Sequence, residues 1–128
     1  METNASYRGF MAENIAKTYL YETQMLTIYE GEDGDFDFIC MLRSDRSVVF
    51  GVNIKAAQYT ASEIFRKYKS IREKSVNMQI PILMLYINPV DRTGLFEFIW
   101  KRLGDNLSEL NSINLKTAIL HLPVLKGS

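Results

Sequence analysis

The feature that most constrains this chain is a pair of alternating segments separated by five polar residues. Residues 36–42 (FDFICML) and 48–57 (VVFGVNIKAA) read as strands, and Arg43-Ser44-Asp45-Arg46-Ser47 between them reads as a turn. Side chains alternate along a strand, so positions i and i+2 share a face. Phe36, Phe38, Cys40 and Leu42 then form one face of the first arm, and Val48, Phe50, Val52 and Ile54 one face of the second. A five-residue loop sets Leu42 opposite Val48, Cys40 opposite Phe50 and Phe38 opposite Val52. The same register sets Asp37 opposite Asn53 and Asp35 opposite Lys55. The two apolar faces coincide, as register demands when one face is buried. The polar consequence is that Asp35, Asp37, Asn53 and Lys55 converge at the open end of the other face.

The rest of the chain frames this hairpin, residues 35–56. Residues 7–21 predict a helix, because Ala12, Ile15, Ala16, Tyr19 and Leu20 gather on one side, with Glu13 on the shoulder of that stripe. Residues 25–29 (MLTIY) predict a strand. Thr60 and Glu63 form a capping box that opens a helix to about residue 76, with Ile64, Phe65, Tyr68 and Ile71 at helical spacing. Residues 80–87 (IPILMLYI) predict a strand buried on both faces. Residues 94–103 (GLFEFIWKRL) predict a helix and residues 117–122 (TAILHL) a closing strand. The order is helix, three strands, helix, strand, helix, strand, an α/β or α+β architecture.

At 128 residues, with no repeat or linker-like tract, the chain is expected to form one domain, 1–128, large enough to bury a core without staples. Fifteen basic residues balance fifteen acidic ones, so no overall charge advertises a polyanionic partner, although binding depends on where charges sit. The lone cysteine, Cys40, excludes an internal disulfide and points to a reducing compartment. Met1-Glu2-Thr3-Asn4-Ala5 lacks the order of a signal peptide, and residues 80–87 are too short to cross a bilayer. The expectation is a cytoplasmic protein with no membrane partner.

Carboxylates, an amide and an amine gathered at one strand end suit a hard divalent cation. Mg²⁺ takes oxygen ligands, typically one or two carboxylates, and keeps several waters. The alternative is a surface hairpin in which Asp35 and Lys55 form a weak exposed ion pair.

The arrangement resembles the PD-(D/E)XK nuclease superfamily, whose motif is an aspartate opening the second strand and Glu/Gln-x-Lys on the third. Asp37 stands in the aspartate position within Asp33-Gly34-Asp35-Phe36-Asp37-Phe38, and Asn53-Ile54-Lys55 stands where Glu/Gln-x-Lys would be. Gly9-Phe10-Met11-Ala12-Glu13 is similar to the G-x-x-A-E helix of the resolvase-like and restriction-like branches. More narrowly, the layout is similar to small bacterial domains of unknown function with a D-x-G-x-D…Q-x-K pattern, often linked to mobile elements or phage defence. The resemblance spans about residues 7–103. It departs at Asn53, a neutral and shorter ligand, and at Asp35, where the narrower pattern has glycine.

The resemblance implies a restriction-endonuclease-like αβββαβ core, a central mixed sheet flanked by helices, with a C-terminal helix and strand added. It implies Mg²⁺- or Mn²⁺-dependent hydrolysis of phosphodiesters in DNA, RNA being a second possible substrate. Asp37, Asn53, Lys55 and Glu13 would be the catalytic set. Asp37, Asp35, Asn53, Glu13 and the backbone carbonyl of Ile54 would be the metal ligands, and Lys55 would orient or activate water. A homodimer would be the economical way for so small a chain to cut both strands of a duplex. Two other readings of the same residues are a catalytically inactive relative that binds nucleic acid or protein, and an unrelated α/β interaction protein.

Other residues have plainer expectations. Arg66, Lys67, Lys69, Arg72 and Lys74 could track a phosphate backbone, but Glu63 and Glu73 among them favour a solvated helix face. Gln58, Tyr59 and Lys67 are candidate nucleic-acid contacts. Trp100, Phe96, Phe98 and Ile99 read as core or a dimer surface. His121 has no ligand partners that would suggest zinc, and Cys40 reads as core.

Overall fold

A computed structural model describes residues 5–31 and 34–127. The fold is α+β, a six-stranded mixed sheet with helices on both faces. Helix α1 (Ala5–Glu22) comes first and buries Ala12, Ile15, Ala16 and Leu20, the stripe expected from its periodicity. It stops where the Thr23 hydroxyl donates to Leu20 O at 2.6 Å and Gln24 turns into the left-handed region at φ 59°.

Strands β1 (Leu26–Glu30), β2 (Phe38–Leu42) and β3 (Val49–Ala56) follow as an antiparallel meander. Helices α2 (Ala61–Lys67) and α3 (Lys69–Val76) cross over to β4 (Ile82–Asn88), which pairs parallel to β3. Strands β5 (Thr93–Ile99) and β6 (Ser108–Glu109) continue antiparallel, so the strands lie in the sheet in chain order. Helix α4 (Ser112–Gly127) closes the chain.

Alternation along the strands divides the core in two. On one face, α1 and α4 cover Phe38, Cys40, Phe50, Val52, Leu83 and Leu85. On the other, Ile64 and its neighbours from α2 and α3 cover Ile82, Met84, Tyr86 and Ile99. Residues 82–87 of β4 are buried throughout, the two-sided burial expected of that apolar run. Cys40 is in the core, where loss of water pushes its thiol up to about 12.

Four expectations need correction. The segment 94–103 is not a helix; residues 93–99 form β5, a hairpin partner of β4. Period-two order decides it, with Phe96 packing on the α1/α4 side while Leu95 and Ile99 pack on the other. The segment 117–122 is not a strand; it lies within α4, where Leu115, Ile119 and Leu122 are buried at helical spacing. The Asn111 carboxamide accepts the Asn114 N–H at 2.7 Å and caps that helix, so His121 is an exposed helical residue.

The helix after Thr60 is two helices that part at Tyr68, although Thr60 does cap the first and donates to Glu63 Oε1 at 2.9 Å. Arg72, expected on a solvated face, is buried. Its guanidinium forms a two-pronged pair with Glu97, Nε to Oε2 at 2.8 Å and Nη2 to Oε1 at 2.9 Å. Arg72 Nη2 also donates to Gly104 O at 3.0 Å, and the Tyr86 hydroxyl donates to Glu97 Oε2 at 2.8 Å. Phe96 and Ile99 are core as expected, while Trp100 is half-buried beneath the Lys101 ammonium.

Candidate functional site

The hairpin register is the expected one: Phe38 pairs with Val52 and Cys40 with Phe50, and Leu42 N–H donates to Val48 O at 3.0 Å. The departure comes at the open end. Asp37 N–H donates to Val52 O at 2.9 Å although Phe38 is the registry partner of Val52. Two residues therefore stand against one, the count of a β-bulge.

The extra residue reverses the alternation before it. Phe36, expected beside Phe38, lies instead on the opposite face, its ring over Gly51. Glycine is required there because a Cβ would come within 2.5 Å of the Phe36 ring. Asp37, at the bulge, turns its carboxylate toward the β3 backbone, and its Oδ2 accepts the Ile54 N–H at 2.7 Å. In an antiparallel ladder a residue's N–H and C=O point toward the same neighbour. The carbonyl of Ile54 therefore also faces the side where β2 has ended, and no described backbone N–H reaches it.

Beside this open β2 side is a cleft of about 140 Å³ lined by Asp35, Asp37, Asn53 and Lys55, with α3 supplying Lys74 and Ser75. All four hairpin residues thus line one cleft. Asp35 is exposed, Asp37 and Lys55 are half-buried, and Asn53 is buried. The exposed Asp35–Lys55 pair is not formed, and Lys55 makes no ion pair with a described residue.

Glu13 approaches from α1. Burial is the main cause that raises its carboxyl above the ordinary range, and the charge of Asp37 adds to it. Lys17, one turn on, donates to Glu30 at 2.6 Å and lies 4.9 Å over the Phe38 ring. The Glu13–Lys17 spacing was the available sequence signal for this basic residue. Glu30 had none, because only the β1–β2 register brings it here. Among the described residues, no three of His, Cys, Asp and Glu converge on one point.

Gln58 and Tyr59 do not line this cleft. They belong to a second cavity of about 360 Å³ beyond the C-terminal end of β3. Lys67 sits at its rim, donating from Nζ to the Tyr59 hydroxyl at 2.6 Å and lying 4.4 Å over the Tyr59 ring. Among the described residues, no helix is long and apolar enough to cross a membrane. Compared with known proteins, the chain matches no family model, no curated protein and no solved structure.

Proposed function

We propose that this chain is a divalent-metal-dependent nuclease that hydrolyses phosphodiesters in DNA, its working residues being Asp37, Asn53 and Lys55. The observation that carries the reading is the bulge at Asp37. It leaves the end of β3 without a partner on its β2 side, where Asp37 takes the Ile54 N–H, and a carboxylate, an amide and an amine line the cleft beside it. The element order from α1 through β4 supports the same reading.

The donor set suits Mg²⁺ or Mn²⁺. Asp37, Asp35 and Asn53 line the cleft with oxygen donors, few of them carboxylates, and the Ile54 carbonyl on the open β2 side would be a further donor. A bound divalent ion would lower the pKa of a bound water and neutralise charge on phosphate oxygens. The protein's own part is positional. Asp37 is anchored through the Ile54 N–H, so its remaining oxygen has a fixed direction. Lys55, with no described counter-ion, donates to a phosphate oxygen as negative charge builds. Glu13, with its raised affinity for a proton, is a candidate to carry one beside Asp37.

Incubation of the purified protein with DNA and Mg²⁺ or Mn²⁺ tests the reading. Lys55→Ala should reduce cleavage by roughly a hundredfold or more. Asp37→Asn keeps an acceptor for Ile54 N–H but removes the charge, and should do the same. Cleavage that persists in either variant would come from a contaminant and would end the proposal.

Asn53 favours a second reading, a nuclease-like domain that binds without cutting, because a neutral amide adds no charge to metal binding. Calorimetric titration of Mn²⁺ separates the two. A wild-type protein that takes up no metal, with binding restored in Asn53→Glu, supports the binding module.

A further inference from the structure

The larger cavity lies where β3 and β4 run parallel, at their C-terminal ends. In open α/β sheets that is where loops are free to present side chains to a ligand. Its volume of about 360 Å³ falls in the range of small-ligand sites. The floor is apolar, formed by Ile64, Leu95 and the Tyr86 ring. The described lining holds a carboxylate, Glu109, and no lysine or arginine, and Lys67 at the rim is engaged by the Tyr59 hydroxyl, so the chemistry does not favour a phosphate.

What the walls offer is a set of directional groups. Asn88 Oδ1 accepts the Val90 N–H at 3.0 Å, which leaves the Asn88 amino group to donate. Glu109 supplies an acceptor and Gln58 an amide that can do either. Tyr59 supplies an aromatic wall, held by its hydrogen bond from Lys67. A flat heterocycle with donors and acceptors around its edge is complementary to this set, and such an edge is available only when the base is unpaired.

Position links the cavity to the cleft. Ala57, in the cavity wall, lies two residues beyond Lys55, about 7 Å along an extended chain. The sheet continues that far, since Ala57 N–H donates to Ile87 O at 2.9 Å. Lys55 is also the registry partner of Tyr86 in the cavity floor. A nucleotide with its phosphate at Lys55 would have its base within reach of this cavity.

We propose that the cavity holds one unpaired nucleobase next to the phosphate bound at Lys55, so that the chain engages single strands or frayed ends in preference to intact duplex. The inference rests on the nuclease reading for the identity of the polymer.

Fluorescence anisotropy tests it with the full chain, without divalent metal, using a labelled single-stranded oligonucleotide, an abasic strand of equal length and the matching blunt duplex. The intact single strand should bind roughly tenfold more tightly than the other two, and Tyr59→Ala and Gln58→Ala should each erase most of that margin. Both side chains are exposed, and circular dichroism of each variant checks that the fold is kept. Equal binding of intact and abasic strands, or unchanged binding in both variants, overturns the proposal. Cleavage assays with Mg²⁺ separate the two ideas. Base-dependent binding without cleavage removes the nuclease reading and leaves the base site standing. Lys55-dependent cleavage that ignores Tyr59→Ala and Gln58→Ala does the reverse.

Discussion

Two groups of polar side chains lie between the sheet and helix α3, and they are handled in opposite ways. Around Arg72, Glu97 and Tyr86 the carboxylate receives two guanidinium bonds and a hydroxyl bond, and the guanidinium also reaches Gly104 O. The pair is sealed, with side-chain exposures of 6% and 4%. Pairing holds the Arg72 guanidinium above its ordinary range, and burial with the nearby Glu97 charge raises the Tyr86 hydroxyl. Around Lys55 an amine, an amide and two carboxylates line an open cleft, and only Asp37 has a described hydrogen-bond partner there. Burying unpaired polar groups is costly, so stability alone favours the first arrangement. A cleft of open groups is what a ligand would complete.

Substitutions can break that contrast. The largest effect is expected at the sealed cluster. Arg72→Ala or Glu97→Ala leaves a buried charge alone and should cost about 3–5 kcal/mol in denaturant unfolding. Asp37→Ala comes next, because Ile54 N–H loses its acceptor at a half-buried strand end. A loss of about 1–3 kcal/mol is expected, and Asp37→Asn, which keeps an acceptor, should lose less than half as much. If Asp37→Ala matched the Arg72 variants, the cleft would be structural after all. Lys55→Ala should change unfolding free energy by less than about 0.5 kcal/mol while removing cleavage.

The smallest effect is a pH dependence at Glu13. A carboxyl raised in the folded protein adds stability that is fully present below its ordinary value of 4.5 and is lost as pH rises through the elevated value. Glu13→Gln stays neutral throughout, so its melting temperature relative to wild type should climb as pH rises above 4.5. A gap that stays constant would mean that burial and the Asp37 charge do not raise the Glu13 carboxyl.

Legibility in the sequence followed the range of the interaction that set each element. The hairpin register was readable because a short polar loop and two matching apolar faces leave one solution, and the same local logic exposed α1 and the Thr60 cap. Element type was lost where Phe, Leu and Ile crowd both faces. Residues 93–99 and 112–127 carry enough apolar side chains to satisfy either periodicity, and β4 and the Asn111 cap decide between them. The site was readable as a set of residues and not as a geometry. Asp37, Asn53 and Lys55 do line one cleft, but alternation gave no hint that Phe36 would cross to the other face. The Arg72–Glu97 pair joins residues 25 apart, beyond any helical or strand period, which is why Arg72 resembled a solvated side chain.

Among the described residues only the pairing of β3 with β4 is parallel, and this has a kinetic consequence. Strands β1 to β3 and strands β4 to β6 are each meanders that pair with near neighbours in sequence, whereas joining β3 to β4 brings Gly51 against Ile82. Closing that long loop costs entropy before contacts repay it, so the seam should be the slow step of folding. Lys55 lies on one side of the seam, and Tyr86 lies on the other. The cleft and the cavity would therefore be the last parts of the molecule to come into existence, and ligand binding would report on complete folding.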